Sequence, residues 1–111
     1  MSIIKSIPRQ RSINGLIVNV SEVSIVSEIE YTTNGEECII VKGVSSCLIL
    51  LDKLSTEHTV IKCLTNVIIR PTTGQIDEEY DEIVADKGAC IEFRCCEGNW
   101  YILSSDRLKN S

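Results

Sequence analysis

CLILLD at 47–52, TVIKCL at 59–64, NVIIRPTTGQID at 66–77 and KGACIEFRCCEGNWYIL at 87–103 decide the reading of this chain. Each run is short, rich in Ile, Val and Leu, and closed by turn residues. The closures are Asp52-Lys53, Thr65-Asn66, Pro71 to Gly74, Lys87-Gly88 and Glu97-Gly98-Asn99. Branched side chains at Cβ suit a pleated surface, and Gly, Asn and Asp suit turns. The spacing predicts a series of hairpins with no room for a long helix.

The same pattern continues outward. Val23 and Ile25, then Ile29 and Tyr31, alternate with Glu22, Ser24, Glu28 and Glu30, which predicts a strand with one wet face. A short helix over 23–29 is the competing reading. Asn34-Gly35 is a hairpin signal leading into CIIVKG at 38–43. Connections this short favour antiparallel pairing, because parallel strands need long crossovers. The expected fold class is all-β: a compact antiparallel β-sandwich or β-prism of about eight to ten short strands.

Residues 1–13 read as an N-terminal arm, MSIIKSIPRQRSI. Pro8 cannot donate to a ladder, so the segment is an edge or extended piece. It is either a partly ordered terminus or an anchoring peptide; in the second reading Ile3, Ile4, Lys5, Ile7, Arg9 and Arg11 contact a partner. Residues 14–106 form the β domain, and 107–111 a polar tail.

The chain has 111 residues, one domain's length, with 43% apolar residues and a net charge of −5. An acidic chain is a poor generic nucleic-acid binder, since phosphate neutralisation needs clustered Lys and Arg. Charge is uneven: 1–20 carry Lys5, Arg9 and Arg11 without an acid. Residues 76–86 carry Asp77, Glu78, Glu79, Asp81, Glu82 and Asp86 without a base. That run reads as a solvated edge, and its spacing is not that of an EF-hand. No segment reaches membrane-spanning length.

The six cysteines sit mostly inside apolar runs, where a free thiol acts as a small hydrophobe. Disulfides and a metal site are the competing readings, but no CxxC pairs occur. With no apolar leader ahead of the domain, folding in a reducing cytosol is expected. His58 is the single histidine, with no nucleophile assigned to it. No cofactor, no metal and no catalytic residue is expected, and the chain reads as no enzyme. Trp100-Tyr101 is either a sugar-stacking platform on an exposed tip or a cap on the core.

Over about half its length the chain resembles a module of phage and virus fibres, tail proteins and capsid decorations. The matching residues run Val60-Ile61-Lys62, then Val67, Ile69, Pro71, Gly74, Ile76 and Asp77. Gly88, Cys90 to Phe93, Gly98, Trp100 and Leu103 follow. Glu97 stands where an Asp is commoner, and the acidic 78–82 stretch replaces a small-residue loop. The resemblance implies a non-enzymatic virion structural protein, assembled as a homotrimer. Its arm would dock on a major capsid or tail protein. The alternative it implies is a carbohydrate-recognition or receptor-binding module on the virion. The apolar runs give a separate reason to expect association: strands apolar on both faces need cover on both.

Overall fold

The computed structural model describes the backbone at residues 4–13 and 16–109, and side chains at 23–106. The described residues form nine strands and no helix. They are β1 (Ile4–Ile13), β2 (Leu16–Val26), β3 (Glu30–Thr32), β4 (Cys38–Val41) and β5 (Ser46–Leu51), then β6 (His58–Cys63), β7 (Asn66–Pro71), β8 (Ile83–Cys96) and β9 (Asn99–Lys109). They build one nearly closed sheet in the order β1-β2-β4-β6-β8-β7-β5-β3, with β9 on the outside of β8. The chain is all-β, as the alternation predicts.

The pairing sense differs from the expected antiparallel one. β2, β4 and β6 pair in parallel, and so do β3, β5 and β7. Successive strands alternate between these two walls, so the backbone winds as a short coil. A parallel pair needs a long crossover, and here the crossover between β4 and β6 is β5 itself. The crossover runs along the opposite wall, so no helix is needed. Thr65-Asn66 and Asn34-Gly35 are therefore corners of the coil, not hairpin turns.

Coiling stacks like on like. Val26, Val41 and Cys63 align through the first wall, as do Ser24, Ile39 and Ile61. Tyr31, Ile49 and Ile69 align through the second, with Cys47 on Val67. Nearly all of these are buried, and the two ladders meet as one core with Phe93 and Trp100. Burying each Ile or Leu side chain contributes roughly 1.5–3 kcal/mol.

β8 closes one end. Its first residues pair antiparallel with β7 (Ile69↔Ile83) and its later ones with β6 (Ile61↔Ile91). Lys87-Gly88, expected as a turn, is instead where this strand crosses from one wall to the other. Gly88 has φ +100°, which allows the bend, and the register on β9 shifts between Ala85 and Cys90. At the other end β1 covers β2, with its register shift at Ile7/Pro8, where a proline that cannot donate is tolerated. β9 remains paired at Leu108 and Lys109, inside the stretch expected as a polar tail.

Candidate functional site

The sequence pointed to three places: the basic arm, the Trp100-Tyr101 pair and the acidic run. Ile3 and the side chains of Ile4, Lys5, Ile7, Arg9 and Arg11 lie outside the described residues. The backbone from Ile4 to Ile13 is an edge strand of the sheet, beside β2.

Trp100 is fully buried, so it presents no face for a sugar to stack on. It is the centre of a joint instead. Its N–H donates to the Gln75 carbonyl (2.9 Å), and its own carbonyl accepts from Asp77 N–H (2.8 Å). The Asp77 carboxylate accepts from Ile102 N–H (2.9 Å). Gly74 has φ +80°, and a Cβ there would stand 2.4 Å from the Gly98 carbonyl oxygen. Gly74, Ile76, Asp77, Gly98 and Trp100, all residues of the resemblance, thus lock the 72–82 loop onto the β8–β9 hairpin. The indole Nε1 is buried and makes no hydrogen bond with a described residue.

Tyr101 is half-buried and donates its hydroxyl to Glu78 (2.8 Å). That bond, with burial and the surrounding acids, pushes the phenol up to about 12. In the acidic run Glu82 takes two hydrogen bonds from Arg70, the shorter 2.7 Å, and Asp81 accepts from Gln75 (3.2 Å). The run is a wet surface with local partners. Among the described residues, no group of three or more His, Cys, Asp or Glu is placed to hold a metal.

The six cysteines are free thiols. Cys47 and Cys63 face inward, and burial pushes them up to about 11 and about 12. Cys96 alone is exposed.

A fourth place escapes sequence reading. His58 and Arg94 are register partners on the outer face of β6 and β8. They stand at the edge of a cleft of about 520 Å³, with the 53–57 corner and residues Gly35 and Glu37 on its other sides. Side-chain hydrogen bonds brace these walls. Thr56 Oγ1 accepts from Gly35 N–H (2.8 Å), Ser55 Oγ donates to the Thr33 carbonyl (2.8 Å), and Thr33 Oγ1 accepts from Asp52 N–H (2.9 Å). Glu36, buried to 2% exposure, accepts from Asn34 N–H (2.7 Å) and from the Tyr31 hydroxyl. Burial first, then that carboxylate, raises the Tyr31 phenol.

His58 Nε2 lies 2.6 Å from Glu92 Oε2, and Ser104 Oγ donates to Glu92 Oε1 (3.0 Å). These two bonds, the histidine's first, hold the Glu92 carboxyl below the usual range. The serine meets the carboxylate, not the imidazole, so the three do not form a nucleophile–base relay. What could have drawn attention to the cleft is its mix of Lys53, His58 and Arg94 in an acidic chain. They come from separate segments, and only the folded coil brings them together.

No family model matches this chain, and neither a curated protein nor a solved structure matches it.

Proposed function

We propose that this protein is a non-enzymatic structural component of a virus or phage particle. In this reading it assembles with copies of itself, as a trimer, and residues 1–13 tie it to a larger capsid or tail surface. The observation that carries the assembly half is the outward side of the coil. Leu48, Ile68 and Val84 align across β5, β7 and β8, with Ile68 36% and Val84 40% exposed. On the opposite wall the outward residues of β2, β4 and β6 include Val23, Ile25, Cys38, Ile40 and Val60, each part-exposed. An apolar stripe on both outer surfaces gains by being covered. The virion half rests on the order of motifs between Val60 and Leu103.

Light scattering after size exclusion, over a wide range of protein concentration, tests assembly. A trimer that becomes a monomer in the Leu48→Ser, Ile68→Ser, Val84→Ser triple variant supports the reading. A folded monomer at high concentration in the unaltered chain overturns it. Deleting residues 1–13 and counting copies on purified particles by mass spectrometry tests docking; unchanged incorporation rejects the arm's role.

A further inference from the structure

We propose that the cleft between the 53–57 corner and the end of β8 binds a small polar ligand through an anionic group: a carboxylate, phosphate or sulfate. Its volume of about 520 Å³ falls within the usual range for small-molecule sites. Lys53 and Arg94 both line it, and neither makes an ion pair with a described residue. That is unexpected in a chain with 16 acids and 11 bases, where a cation readily finds a carboxylate. Arg94 offers a planar fork suited to a two-oxygen acceptor, and Lys53 a point charge. Lys53 Nζ lies beside the β8–β9 turn, 3.6 Å from where a Cβ on Gly98 would stand.

The walls are braced before any ligand arrives. Thr33, Glu36 and Thr56 are each about 2% exposed and hydrogen-bonded, so the corner does not need to order on binding. The ligand is also expected to be more than a bare ion. Leu54, 89% exposed at the rim, offers an apolar contact, and the Ser55 and His58 side chains offer polar ones. Glu37 and Glu57 line the same cleft and disfavour a multiply charged anion. A singly anionic, hydroxyl-bearing molecule fits this mixture best. The site shares no residue with the outward apolar stripe, so it stands or falls apart from the assembly reading.

Titrating the full isotope-labelled chain in low-salt buffer, followed by amide ¹H–¹⁵N shifts, tests this with three probes: inorganic phosphate, N-acetylneuraminic acid and methyl α-glucoside. Saturable shifts at Leu54, Thr56 and His58 are expected with the two anions and none with the neutral sugar. Binding should weaken at least tenfold in a Lys53→Met, Arg94→Gln double variant and persist in the charge-keeping Lys53→Arg, Arg94→Lys variant. Tighter binding of the acidic sugar than of phosphate upholds the proposal; equal or tighter binding of phosphate reduces the cleft to a bare-anion site and overturns the part that asks for a hydroxyl-bearing body. No saturable shift with either anion, undiminished binding in the charge-removing variant, or equal binding of the glucoside overturns it.

Discussion

Ile61 and Ile68 are the same side chain on consecutive strands of opposite walls, yet the fold uses them for opposite ends. Ile61 points between the walls, stacked on Ile39 and Ile91 and fully enclosed; Ile68 points outward, 36% exposed between Leu48 and Val84. The inner ladder holds one copy together. The outer stripe contributes little until something covers it. Hydrophobicity alone does not separate these roles; the parity of the position along a strand does, because successive side chains alternate between faces.

The largest effect expected from breaking this contrast is at the inner face. Ile61→Ala should cost about 2–5 kcal/mol in urea unfolding, from lost transfer energy plus the cavity left behind. Ile68→Ala should fall within about 1 kcal/mol when measured on dilute monomer, as for surface sites in general. Equal losses at both positions would mean that the two faces are not distinct. A loss at Ile68 that grows with protein concentration would sharpen the contrast, since it would report burial between copies.

How much of this the sequence discloses follows from the same pair. A period of two sorts the residues of each strand by face, but CIIV and CLILL are apolar at every position, so the inward set is legible only where a charge marks the outer one, as Arg70 does in NVIIRP. What sits opposite is not legible. Thr65-Asn66 obeys the same local chemistry whether the next strand folds back beside β6 or continues onto the other wall. Lys87-Gly88 likewise resembles a turn, because the positive φ that ends a strand elsewhere here bends one around a corner. The cleft was illegible for a related reason: Lys53, His58 and Arg94 meet only through the coil and the β6–β8 register.

Gly74 and Glu36 compare the two loop clusters. Gly74→Ala places a Cβ against the backbone oxygen of Gly98 at a left-handed φ, so the 72–82 loop must shift. A loss of about 1–3 kcal/mol is expected, with amide exchange speeding at Trp100 and Ile102, whose N–H groups bond to that loop. Glu36→Ala leaves the Tyr31 hydroxyl and Asn34 N–H without their acceptor, at a cost of about 1–3 kcal/mol. Its effect should appear in the 33–37 and 52–57 corners and leave the Trp100 joint unchanged. Thiol labelling at pH 8 reads the inner and outer faces without any substitution. Cys96 should react at once; Cys47 and Cys63, enclosed and with thiols pushed up to about 11 and 12, should react only on unfolding. Prompt reaction at Cys63 would show that the walls open.

The smallest effect expected lies on the outer face, at the His58–Glu92 pair. Its sign follows from the direction of the shift. Hydrogen bonds from His58 and then Ser104 hold the folded-state Glu92 carboxyl below its ordinary value of about 4.3, so folding releases a proton near that pH. The resulting stability is fully present above the ordinary value and disappears as pH falls through the lowered one. Glu92→Gln should therefore lower the melting temperature slightly at pH 6, and the gap from the unaltered protein should close as pH falls below about 4. The pair is part-exposed, with side chains about one-third accessible, so added salt should narrow the gap at pH 6 as well. A gap that stayed constant from pH 6 to pH 3 would place the effect of Glu92 in packing rather than in its charge.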